Sequence, residues 1–149
     1  MFVRAVLAFL VCPGTVALFV PLLLVRLDDS AQPFSARGLL LLIPGSVLLL
    51  WCVRDFYVTG KGTLAPWAPP RNLVEVGLYR FSRNPMYIAV MLVLSGWALA
   101  FHSRTLLIYA LAVAITFHLR VVLGEEPWLA RTHGDRWVSY KARVPRWLF

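Results

Sequence analysis

Four long apolar runs constrain this chain more than any other feature. They cover about residues 3–27, 38–57, 85–101 and 105–124. A hydrocarbon core of roughly 30 Å needs about 20 apolar residues of helix, and each run approaches or exceeds that length. Across 149 residues, 60% are hydrophobic and mean hydropathy is +0.72, well outside the range of a water-soluble domain. Within a bilayer only helices and closed barrels satisfy the backbone, and runs this long read as helices. The expected fold is therefore all-α: a multi-pass bundle of four transmembrane helices in one membrane domain. The first run is read as a retained helix rather than a signal peptide, because its apolar stretch is long and no A-x-A-like site follows. Pro13, Pro21 and the pair Pro44–Gly45 interrupt the first two runs, as membrane helices tolerate when neighbours supply partners.

The formal charge of +8 does not point to nucleic acid, because the basic residues sit between apolar runs and form no soluble face. They read instead as topology. With four spans, twelve of the fifteen Lys and Arg flank one side, and only Arg26, Arg37 and Arg104 flank the other. By the positive-inside rule both chain ends and the segment 58–84 face the cytoplasm. That segment holds Gly60, Gly62, Pro66, Pro69 and Pro70 around Leu64 and Trp67, and is expected to be irregular and interfacial. His102, Ser103 and Arg104 make a tight turn that folds the last two spans into an antiparallel hairpin. Pro127 is expected to break the fourth span and open an interfacial helix over about 127–142, where Trp128, Trp137 and Tyr140 alternate with Arg131, Arg136 and Lys141. Cys12 and Cys52 lie inside apolar runs and suit neither a zinc site nor a disulfide framework.

Counting outward from Ser103, Asn84 lies 19 positions back and Glu125 lies 22 forward. At 1.5 Å per residue their depths differ by roughly 5 Å, so the stretches 77–87 and 125–126 meet at one membrane face. Acids at the end of a span need partners, and Arg80 and Arg83 are the nearest candidates; the other reading leaves Glu125 and Glu126 in water beside head groups. Pro127 turns Glu126 toward solvent and leaves Glu125 the stronger candidate. Asn84–Pro85 reads as an N-cap and first helical residue, which also makes an anion site beside Arg83. Tyr87 is either an interfacial aromatic or a ligand contact. His118 lies about 10 Å deeper than Glu125 on nearly the same face, where it is either a satisfied packing residue or a group facing a cavity. Arg120 is expected to snorkel to the surface, and His133 to sit exposed in the tail. No soluble-enzyme signature of the G-x-S-x-G, H-E-x-x-H or P-loop kind is present.

The stretch from Gly77 through Tyr79, Arg83, Asn84, Pro85 to Tyr87 resembles the G-x-Y-x-x-x-R-H-P-x-Y signature of the isoprenylcysteine carboxyl methyltransferase and phospholipid methyltransferase superfamily. Glu125–Glu126, Leu129, Gly134, Tyr140 and Val144–Pro145 resemble its second signature. The resemblance covers the C-terminal half and implies an integral membrane methyltransferase that uses S-adenosylmethionine on a lipophilic acceptor among membrane lipids. It implies cofactor-binding roles for Tyr79, Arg83, Asn84, Pro85, Tyr87, His118, Glu125 and Glu126, with Arg83 and Glu125 as the catalytic pair. Asn84 replaces the family's usual histidine, which excludes a titrating base there; Ala89, His133 and Trp137 are further departures. A nicotinamide-dependent membrane reductase of related fold and a non-catalytic scaffold remain as alternatives. Neither the acceptor nor the oligomeric state is legible.

Overall fold

A computed structural model describes residues 10–60 and 72–148, except the side chains of Leu10, Val11 and Cys12. The expectations for residues 3–9 and for 61–71, including Leu64, Trp67 and the three prolines of that segment, lie outside the described residues. Those described are helical or irregular, with no strand among them. A π-helical stretch Leu10–Phe19 runs into α1 (Val20–Leu27), followed by α2 (Leu39–Gly60), α3 (Pro85–Phe101) and α4 (Arg104–Arg120). A second π-helical turn, Val121–Glu125, leads into α5 (Glu126–Arg143).

Two helical segments are long and apolar enough to cross a membrane, 36–60 and 104–143; residues 13–27 and 85–101 form shorter apolar helices. Outward faces are apolar at helical spacing: Leu40, Ile43, Val47 and Leu50 on α2, and Leu107, Leu111, Ile115 and Leu119 on α4 are all exposed. Such stripes would be a liability in water and match lipid.

α3 is the central helix, and its backbone approaches α2 across small residues. A Cβ on Gly45 would lie 2.9 Å from the Val93 nitrogen, and one on Gly96 would lie 2.8 Å from the Leu42 nitrogen. Close backbone approach through small residues is how membrane helices gain contact where lipid removes the hydrophobic driving force. Leu49, Ala89, Val90, Val93, Leu94 and Ala110 fill the core behind this seam.

Two of the prolines in the described helices, Pro21 and Pro127, are accommodated by specific devices. Pro21 has no N–H, so the Ala17 carbonyl four residues back loses its helical donor. Trp97 Nε1 donates to Ala17 O at 2.9 Å and the Tyr109 hydroxyl donates to Val16 O at 3.0 Å, from α3 and α4 respectively. These two bonds tie the first helix to the bundle. Pro127 corrects the expected break: the wide turn Val121–Glu125, closed by the Glu126 N–H on Val121 O, absorbs the missing donor, and helical geometry passes through Pro127 as far as Gly134. The real irregularity in α5 is Gly134, at φ +48° and ψ −125°.

On the face opposite the site, His102 adopts the left-handed conformation that ends α3, and Ser103 Oγ accepts from Leu106 N to begin α4. Gln32 N and Ser35 N donate to the Phe101 and Ala100 carbonyls, which covers the C-terminus of α3. The Ser103 hydroxyl also donates to Asp28, and with Ser30 it holds that carboxyl down at about 2.

Candidate functional site

The site is built where Gly77–Arg83, the start of α3, and the π turn before α5 converge. A short 3₁₀ turn, Gly77–Arg80, delivers the chain to α3, and Gly77 sits at φ +57°, a conformation that favours glycine. Tyr79 is buried against Cys52 and Val74, its carbonyl accepts the Tyr140 hydroxyl at 2.7 Å, and burial pushes its phenol well above the usual range. Tyr79 thus anchors the loop, its ring tilted on Phe56.

Glu126 is the centre of the charged cluster. Its Oε1 accepts from Arg83 Nη1 at 2.7 Å and Arg146 Nε at 2.9 Å, while Oε2 accepts from Arg146 Nη2 at 2.8 Å. The Arg83 and Glu126 side chains are 8% and 10% exposed. Glu126 is therefore the buried acid, contrary to the solvent-facing position expected from Pro127, because the π turn rotates it inward. Burial draws the Arg83 guanidinium below its ordinary pKa while Glu126 opposes the shift, and the hydrogen bond to Glu126 raises that of Arg146. Arg83 also lies over the Trp137 ring, 5.5 Å from its centroid. Its Nε is buried and has no partner.

Glu125 forms the second arm. Its Oε1 accepts from the Tyr87 hydroxyl and from Arg120 Nε at 2.8 Å. Arg120 is thus turned onto Glu125 rather than snorkelling free, and Arg80, exposed, pairs with neither acid. The Tyr87 ring continues into an apolar cavity of about 320 Å³ between α3 and α4, lined also by Ile88, Met91, Phe117, His118 and Trp147. Phe117 lies 4.3 Å from Tyr87 between ring centroids, and His118 stacks on Trp147 at 6.1 Å. The structure thus brings Arg83 to Glu126 and Tyr87 to Glu125. His118 stands at the cavity wall, and Pro85 is buried as the first residue of α3.

The sequence model of phospholipid methyltransferases matches residues 34–136, more than two thirds of the chain and all of the segment bearing these residues except the tail. The chain belongs to the phospholipid methyltransferase family. No curated protein and no solved structure matches it.

Within this family member, Asn84 holds the N-cap position expected from Asn84–Pro85, its carbonyl accepting the Ile88 N–H at 3.3 Å, but its side chain is not placed on the charged cluster. Its side chain makes no capping bond; Nδ2 donates to the Arg146 carbonyl at 3.0 Å, because at φ −130° and ψ 48° the amide faces the tail. Asn84→Asp therefore removes the donor and sets a carboxylate against a carbonyl, whereas Asn84→Ala removes one hydrogen bond worth about 1 kcal/mol. Aspartate is expected to be the more damaging in thermal unfolding; an aspartate variant as stable as the parent would refute this placement. His133, expected to be exposed, is half-buried edge-on to Trp128 with Nε2 unpartnered. Sequence reasoning missed Arg146 and Trp147, which nothing distinguishes from the other basic and aromatic residues of the tail, and Ser82, whose hydroxyl donates to Arg146 O at 3.3 Å.

Proposed function

We propose that the chain transfers a methyl group from S-adenosylmethionine to a lipophilic acceptor, in a four-span bundle with the site on the cytoplasmic face. The observation that carries this reading is Tyr87, whose hydroxyl belongs to the charged cluster and whose ring belongs to the apolar cavity. A polar cofactor and an apolar acceptor need such a junction.

The donor set fits the cofactor. The unpartnered, buried Arg83 Nε is a charge-assisted donor for its carboxylate, and Glu125, with Oε1 already engaged and Oε2 open, suits its ammonium or ribose diol. When bound, S-adenosylmethionine supplies an electrophilic methyl group on a sulfonium. The residues here need only position and exclude water. Tyr87 and Arg120 fix the Glu125 carboxylate, Glu126 fixes Arg83, and Tyr87, Phe117 and Met91 seat the apolar part of the acceptor beside them. Asn84 cannot titrate, and the reading assigns no base to it.

The test is calorimetry on the purified protein in lipid nanodiscs. S-adenosylhomocysteine is expected to bind and nicotinamide nucleotides are not. Arg83→Ala and Glu125→Ala should each weaken binding by about 1.5–3 kcal/mol, the worth of a charge-assisted contact. Glu126 retains Arg146 in the first variant, so the fold survives. If both variants bind like the parent, the cofactor pocket is misplaced. Incubation with labelled methyl donor and total lipid extract then identifies the acceptor.

A further inference from the structure

The segment after α5 folds back across the site. Val144 leaves helical geometry at φ −122° and ψ 125° and is buried with Leu73, Trp137 and Tyr140, which anchors the turn. Beyond it the Pro145 carbonyl accepts the Arg83 N–H at 2.9 Å, and the Arg146 carbonyl accepts both the Ser82 hydroxyl and the Asn84 amide. The Arg146 guanidinium grips Glu126 with two hydrogen bonds, and Trp147 closes the cavity against His118. Residues 145–147 thus engage both the charged cluster and the apolar cavity, and they lie outside the span matched by the family.

We propose that residues 145–148 form a strap that competes with ligand, held shut by Arg146 on Glu126, and that it must release before the cofactor seats beside Arg83. The inference rests on the cofactor reading above. In the strapped state both Glu126 oxygens are engaged by guanidinium donors, and the backbone around Arg83 is covered by Pro145 and Arg146. Arg146 is the weak point of the clasp: its side chain is 33% exposed, against 8% for Arg83. Its loss leaves the Arg83–Glu126 pair in place, so the bundle is kept. A protein whose competent state is a fraction f of the total binds with an apparent dissociation constant raised by 1/f.

Two measurements on full-length protein in nanodiscs decide the matter. The first is hydrogen exchange without ligand: Arg146→Gln should lose protection at the Arg83 amide, whose acceptor is Pro145 O, and Arg146→Lys should lose less. The second is calorimetric titration with S-adenosylhomocysteine, in which Arg146→Gln should bind at least about fivefold more tightly than the parent, as expected for a site closed most of the time. Unchanged exchange means that Arg146 does not hold the strap and overturns the proposal. Faster exchange with equal or weaker binding overturns it too, since the strap would then be a support or part of the ligand's own contacts. If neither parent nor variant binds, the cofactor reading itself fails, and the competition built on it falls with it.

Discussion

Glu126→Ala is expected to destabilise the folded protein by about 3–5 kcal/mol, the usual cost of removing one partner from a buried ion pair and stranding the other. Arg83 would then be left with an 8%-exposed guanidinium held over Trp137 and no counter-charge. Arg146 would lose its bidentate partner, and with it the side-chain clasp of the tail. Glu125→Ala is the matched control. Its ion pair is 46% and 34% exposed, so its stability cost stays within about 1 kcal/mol, although Tyr87 loses its acceptor. Glu126→Gln should fall between the two, since it keeps an acceptor but not the charge. Thermal unfolding of the three variants in one detergent checks the order. Equal melting of the two alanine variants would show that the buried pair contributes nothing particular.

That contrast between neighbouring acids marks the limit of what the sequence discloses. The helix bounds of α3 were readable from Asn84–Pro85 at one end and His102–Ser103 at the other, because proline and a left-handed residue punctuate helices through backbone sterics alone. The meeting of residues 77–87 with 125–126 followed from rise per residue. The rotation of Glu126 relative to Glu125 did not, because it depends on a π turn whose one extra residue per turn leaves no compositional trace. By depth alone Arg80 and Arg83 were equal candidates to pair with the acids, but they differ in space: the 3₁₀ turn ends at Arg80, which is exposed, and the next three residues carry Arg83 under the tail. The role of Asn84 was equally hidden. Its partner is a carbonyl 62 positions away, supplied by a segment that reads as a basic tail.

The seam between α2 and α3 is where the second large effect is expected. A Cβ on Gly38 would lie 2.7 Å from the Ala100 Cα and 2.7 Å from the Gly96 carbonyl oxygen, with the Ala100 Cβ closer still. These are backbone atoms of a helix packed along its length, so no side-chain rotation relieves the overlap. Gly38→Ala should cost toward the upper end of the roughly 1–3 kcal/mol typical of overpacking. Spreading the helices also strains the Ser35 N–Ala100 O bond that covers the end of α3. Gly124→Ala makes the opposite prediction. A Cβ there meets nothing within 4 Å, and no positive φ is recorded, so alanine should be neutral or stabilising by up to about 1 kcal/mol through reduced unfolded-state freedom. Ala100→Gly in the Gly38→Ala background removes the Cβ–Cβ overlap but leaves the Gly96 carbonyl, so it should recover part of the loss and not all of it. A double variant with purely additive losses would show that the overlap at Ala100 is not the cause.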